Sequence, residues 1–368
     1  MGDPLRIGIV GAAGRGRSFF AALNAQEGAR VTAVCDINEE GVRRVAVENE
    51  VERVYPDLGA MLDDGGIDVL VIGTPMSLHA PQAIAALERG VHVLSEVPAA
   101  VSMDECRALV QAAKSSSATY MMAENYCYIR TNVLVKHIAH AGLFGEMYFG
   151  EGEYLHELKE LNEITKWRRK WQTGINGCTY PTHSLGPLLQ WFGERVVSVS
   201  CFGTGHHYRD PRGDEYENED STHTACRLSN GGLANIRLDM LSNRPHQMAY
   251  YSVQGTKGCY EAPRGAGDSH KVWLQDRQAD PNDWHPLSEF EEEFLPEEWL
   301  HPPEAALKSG HWGGDYMVVA DFLRAIRDGQ PPPIDIHSAM DMTLPGLVSQ
   351  QSISQGSVWL EVPDSREW

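Results

Sequence analysis

The sequence predicts an α/β chain in two parts: a doubly wound parallel sheet, then an α+β domain on an open, mainly antiparallel sheet. Three observations carry this. Short apolar runs alternate with helical patterns across the first part. After about residue 147 the runs alternate polar with apolar instead. A length of 368 residues suits two domains better than one or four. The expected boundaries are 1–125 and 126–368, with the C-terminal helices packing back on the first domain.

In the first part, Arg6–Val10, Val31–Asp36, Val69–Thr74, Val91–Ser95 and Tyr120–Ala123 are mostly apolar, with little alternation. Such runs suit parallel strands covered on both faces. Helical spacing fills the gaps at Ser18–Gln26, Glu39–Glu48, Ala80–Arg89 and Met103–Lys114. Ser102-Met-Asp-Glu105 forms a capping box at the start of the last helix. In the second part, Met147–His156, Val196–Phe202, Thr222–Leu228, Leu233–Met240 and Ala249–Gln254 alternate as half-buried antiparallel strands do. Ser229-Asn230-Gly231 marks a hairpin turn, because Asn and Gly tolerate positive φ. Asp315–Arg327 is an amphipathic helix ended by Gly329 and three prolines. The acidic stretch Glu289–Glu298 reads as a solvated loop.

Composition narrows the partners. The chain holds 31 Lys and Arg against 51 Asp and Glu, a net charge of −20 that repels nucleic acid and anionic membranes. Its seven cysteines are scattered without a Cys-x-x-Cys pair, the pattern of reduced thiols in a cytoplasmic protein. His206-His207 and His311 lack the ordered acidic partners of a metal site, so no metal is expected. No apolar run reaches the roughly 20 residues that span a bilayer.

Gly11-Ala-Ala13-Gly14-Arg15-Gly16 follows the first strand and opens a helix. Glycines there permit a tight turn and close approach of a pyrophosphate to a helix N-terminus, where free N–H groups favour anions. Asp36 ends the second strand twenty residues after Gly16, placed to accept hydrogen bonds from an adenosine ribose. Its carboxylate would repel a 2′-phosphate, so the expected cofactor is NAD. Thr74-Pro75…His79, Glu96 and Glu124-Asn125 lie at further strand ends on that same edge.

These residues resemble the Gfo/Idh/MocA oxidoreductase superfamily over nearly the whole chain. The resemblance implies a Rossmann domain followed by an α/β domain with an open sheet. The superfamily's ordinary dehydrogenases carry Glu-Lys-Pro and a distal Asp-x-x-x-His, but Val97 stands in the lysine position here and Thr179 in that of the Asp. Glu96-Val-Pro-Ala-Ala100, Met122-Ala-Glu-Asn-Tyr126-Cys-Tyr128, Gly152-Glu-Tyr154-Leu-His156 and Thr179-Tyr-Pro-Thr-His-Ser-Leu-Gly-Pro187 resemble glycoside hydrolase family 109, the NAD-dependent α-N-acetylgalactosaminidase branch. That resemblance implies catalytic roles for Glu124, Tyr154, Tyr180 and His183.

Lys166-Trp167-Arg168-Arg169-Lys-Trp171 is the one dense basic cluster, either a solvated charged face at a crevice lip or a grip for an acidic group on a sugar. With Val97, Tyr126 and Thr179, residues Trp167, Arg168 and Arg169 complete the expected substrate contacts. The function expected is an NAD-dependent glycosidase working by oxidation at C3, elimination, water addition and reduction. Its rivals are a sugar or polyol dehydrogenase that releases NADH and a non-catalytic dinucleotide sensor. The expected partners are a sugar or glycoside and further copies of the chain, as a dimer or tetramer through the open sheet.

Overall fold

The computed structural model describes residues 4–245, 248–277 and 280–368. It divides into two compact units. One comprises Met1–Tyr128, Pro303–Met340 and Ser365–Trp368; the other comprises Ile129–Pro302 and Asp341–Asp364.

The first unit is built on six parallel strands among the described residues. These are β1 (Leu5–Val10), β2 (Ala29–Cys35), β3 (Arg53–Tyr55), β4 (Val69–Ile72), β5 (His92–Ser95) and β6 (Tyr120–Met122). Their order is β3-β2-β1-β4-β5-β6, the doubly wound arrangement whose order reverses beside β1. Ile7, Ile9, Leu70, Ile72, Leu94 and Met121 are fully buried, as the unbroken apolar runs require. The capping box forms with one change. Ser102 Oγ accepts from the Glu105 N–H, and Glu105 reaches back to the N–H of Val101 rather than of Ser102. The three-residue edge strand β3 and the helix Leu58–Asp63 are additions to the predicted order.

The second unit carries nine strands among the described residues. They are β7 (Met147–Leu155), β8 (Val196–Gly203), β9 (Ser221–Leu228), β10 (Leu233–Asp239), β11 (Ala249–Gly255), β12 (Gly258–Glu261), β13 (Lys271–Leu274), β14 (His285–Pro286) and β15 (Leu360–Glu361). The order is β14-β13-β12-β11-β7-β10-β9-β8-β15. Every pairing is antiparallel except β7 with β10, where Tyr154 lies opposite Leu238. The predicted turn after β9 forms at Gly231, φ +86°. Along β7, Gly150, Gly152 and Tyr154 are buried on one face, while on the other Glu153 is paired with Arg237 and Arg264. The acidic stretch is not a plain loop: it folds into the short helices Glu291–Phe294 and Glu297–Leu300. Arg130 takes Glu291 and Arg277 takes Glu293, which offsets the repulsion between neighbouring carboxylates.

Candidate active site

The glycine turn of the first unit has the shape a dinucleotide needs. Gly11 has φ +77°, and a Cβ there would lie 2.5 Å from the carbonyl oxygen of Gly73. Only glycine lets the turn pack this closely against the end of β4. The N–H groups of Gly14 and Gly16 both donate to the Gly11 carbonyl at 3.1 Å, which curls the chain into Arg15–Phe19. Asp36 accepts from the Ala13 N–H at 2.9 Å with Oδ2 and from the Asn38 N–H at 2.9 Å with Oδ1. Each bond uses one of several lone pairs, so the carboxylate retains capacity for a ribose hydroxyl. The cradle fits an NAD pyrophosphate and adenosine ribose.

Arg15 does not point into open solvent. Its Nε donates to Glu96 Oε1 at 2.6 Å, and its terminal nitrogens reach Asp315 at 3.2 and 3.3 Å. Burial alone would lower the Arg15 pKa, but Glu96 and Asp315 hold the guanidinium charged. Burial would likewise raise Asp315, yet the His311 hydrogen bond and the charge of Arg15 bring it down to about 2. Asn125 Nδ2 donates to Asp315 Oδ1 at 3.3 Å.

His79 is enclosed. Its Nδ1 lies 2.8 Å from the Pro98 carbonyl and its Nε2 lies 2.9 Å from the Thr74 carbonyl. Burial holds its pKa below the ordinary value, against the pull of the two carbonyls. The neutral ring has one N–H and satisfies one carbonyl at a time. His79 thus ties the Thr74-Pro75 loop, itself fixed by a Thr74 Oγ1–Gln82 bond of 2.7 Å, to the loop holding Val97. Val97 and Tyr126 are buried, at 3% and 1% exposure. Glu124 is fully buried, and its Oε1 accepts from the Tyr126 N–H at 3.0 Å.

In the second unit, three predicted residues come together. The rings of Tyr154 and His183 are 4.9 Å apart between centroids, those of Tyr180 and His183 are 4.9 Å apart, and those of Tyr154 and Tyr180 are 5.6 Å apart. The helix Thr182–Phe192 brings His183 to the sheet because Gly152 leaves room for it. A Cβ at Gly152 would lie 2.0 Å from the Ser184 carbonyl oxygen. His156 joins the cluster, with Nδ1 at 2.9 Å from the Tyr154 hydroxyl. The sequence motif contained His156, and its period-two spacing from Tyr154 was the signal that it shares that face.

The basic cluster divides. Arg169 is committed to Glu163 at 2.8 Å and to the fully buried side chain of Asp210. Arg168 stacks 4.5 Å over the Trp167 ring and bonds to Thr165 Oγ1 and Gln172 Oε1, with no carboxylate partner among the described residues. Thr179 is buried and donates to the Gln172 carbonyl at 2.9 Å. Sequence reasoning missed Asp210 and the Asp315–His311 pair. The sequence shows no ordered acidic partners of a metal site around His311; its bond to Asp315 depends on the turn at His311–Gly313, whose backbone leaves the helical region at His311 and Trp312.

These features define an NAD-binding enzyme of the Gfo/Idh/MocA oxidoreductase superfamily. Residues 5–124 match the oxidoreductase family with NAD-binding Rossmann fold. Residues 128–367 match the glycosyl hydrolase 109 C-terminal domain, and the chain belongs to that family. A glycosyl hydrolase family 109 protein of Streptomyces filamentosus is 31% identical over 390 residues, covering 98% of this chain and 77% of its own length. An alpha-N-acetylgalactosaminidase of Shewanella oneidensis is 30% identical over 406 residues, covering 98% of this chain and 85% of its own. In fold, a levoglucosan dehydrogenase solved with NADH and L-sorbose superposes with a TM-score of 0.84 at 22% identity. It covers 98% of this chain and all of its own. No helix among the described residues is long and apolar enough to cross a membrane.

Proposed function

We propose that this protein is an NAD-dependent glycosidase, cleaving a sugar glycoside by oxidation at C3, elimination across C1–C2, addition of water and reduction. The observation that carries this reading is the Tyr154–Tyr180–His183 ring cluster, in a chain with Val97 in the lysine position of the related dehydrogenases. The turn Gly11–Gly16 and Asp36 would hold the dinucleotide, with Thr74, Pro75, Glu96 and Asn125 at the neighbouring strand ends. NAD, when bound, supplies a reversible two-electron oxidation of a ring hydroxyl to a ketone.

The remaining work is proton handling by the chain itself. A ketone at C3 acidifies the C2 proton, so a base of ordinary strength can remove it. The C1–oxygen bond then breaks, its electron pair leaves with the aglycone oxygen, and an acid protonates that oxygen. Water adds at C1 and a proton returns to C2. His183, Tyr154 and Tyr180 supply these groups. Tyr154 can pass its phenol proton to His156 Nδ1 while taking another at its own oxygen. Glu124 is the carboxylate that the family resemblance adds to this chemistry. Arg168, whose charge no carboxylate takes up among the described residues, is the contact offered to an acidic or hydroxyl-rich sugar.

Nitrophenyl glycosides, neutral and anionic, assayed with and without NAD in heavy water, test the reading. The expected result is NAD-dependent hydrolysis, deuterium at C2 of the released sugar and no accumulated NADH. Stoichiometric NADH from a free sugar would establish a dehydrogenase instead.

A further inference from the structure

His311 and Asp315 form a pair that meets the Gly11–Gly16 turn through Arg15. His311 Nδ1 lies 3.1 Å from each Asp315 carboxylate oxygen, and the Asp315 side chain is 1% exposed. A carboxylate on Nδ1 fixes the tautomer with its proton there and leaves Nε2 as an acceptor. The His311 side chain is 31% exposed, and Nε2 has no protein partner among the described residues.

The backbone around it is strained. His311 and Trp312 have φ of +52° and +54°, and Gly313 follows at +94°. Two bulky residues in the left-handed region persist only where their surroundings over-determine them, and such outliers gather at functional sites. Trp312 is 72% exposed. Asn125, 3% exposed, donates through Nδ2 to Asp315 Oδ1, while its own Oδ1, buried, has no partner among the described residues. Through Asp315 the pair holds Arg15, which follows β1, and through Arg15 it reaches Glu96, which follows β5; Asn125 lies just after β6. Carboxyl ends of strands are where a doubly wound sheet binds its dinucleotide.

We propose that the His311-Trp312 turn is part of the NAD site, His311 Nε2 accepting a hydrogen bond from a hydroxyl or amide of the bound cofactor and Trp312 covering it. The inference rests on NAD binding and not on the glycosidase reading, so an inactive glycosidase assay leaves it standing.

Calorimetry of NAD binding tests it. H311F removes the acceptor and the partner of Asp315, and should weaken NAD binding at least about tenfold. H311Q, which restores a polar acceptor, should return affinity to within a few-fold of the wild type. In W312L, energy transfer from tryptophan to bound NADH should fall. The His311 Nε2 resonance in a ¹⁵N spectrum of the wild type should move when NAD is added, a response a purely structural turn does not give. NAD affinity in H311F within twofold of the wild type, or an Nε2 resonance unmoved at saturating NAD, would overturn the proposal. The spectrum decides even if H311F does not fold.

Discussion

The carboxyl edge of the parallel sheet and the ring cluster of the second unit use polar side chains in opposite ways. At the sheet edge, charges are fixed: Arg15 is held between Glu96 and Asp315, and Asp36 is tied to the Ala13 N–H. At the ring cluster, Tyr154, Tyr180 and His183 lie 4.9 to 5.6 Å apart between centroids, and the Tyr154 hydroxyl meets His156 Nδ1 at 2.9 Å. Fixed charge suits a cofactor that must stay bound throughout the proposed cycle of oxidation and reduction. Under the proposed function, titratable rings suit the bond that is to be broken. Substitutions at the edge should therefore register in affinity and stability, and those at the rings in turnover.

The largest effect expected is on stability, where the second unit also uses fixed charge. Arg169→Ala leaves the Asp210 side chain, fully buried, without its guanidinium. Breaking such a pair should cost about 3 kcal/mol, read by denaturant unfolding. Unchanged stability would free Arg169 for a ligand after all.

Next come the rings. His183→Ala and Tyr180→Phe should each lower turnover by about two orders of magnitude, roughly 2.7 kcal/mol of barrier. NAD affinity should stay within about twofold. If NAD affinity fell in step with turnover, the division of labour would be broken.

A smaller effect is read against pH. The Asp315 carboxyl is lowered from 3.8 to about 2, so its ionised form is favoured in the fold. A depressed folded-state pKa stabilises above the unfolded value and is lost as pH falls through the folded one. About 2 kcal/mol present at neutral pH should disappear between about pH 4 and pH 2. Asp315→Asn should flatten that part of the profile of melting temperature against pH.

The smallest expected change is in cofactor choice. Asp36→Ala should narrow the preference for NAD over NADP by about tenfold, or 1.4 kcal/mol, because the repulsion of a 2′-phosphate goes. Tighter NADP binding by the unaltered protein would remove Asp36 from its role.

What the sequence determined by itself was whatever is written in short-range order. The apolar runs of the parallel strands, the alternation of β7 to β11 and the glycine turn with Asp36 could all be read from spacing, whereas Tyr180 and His183 were marked only by the family resemblance, Tyr180 lying just before the helix that carries His183. Elements without a local pattern were not legible. The strand β3 has three residues, too few to show a period. The helix Ile336–Ser354 is rich in buried residues along most of its length, so it shows no amphipathic stripe to read. Only the tertiary structure decided the partners of the charges. Arg15 meets Asp315 across 300 residues of sequence, and Arg169 was given to Asp210 rather than left for a ligand. The reason is physical. Periodicity records which face of an element is buried, whereas an ion pair depends on which loops the finished fold brings within about 3 Å, and nothing local in the chain encodes that distance.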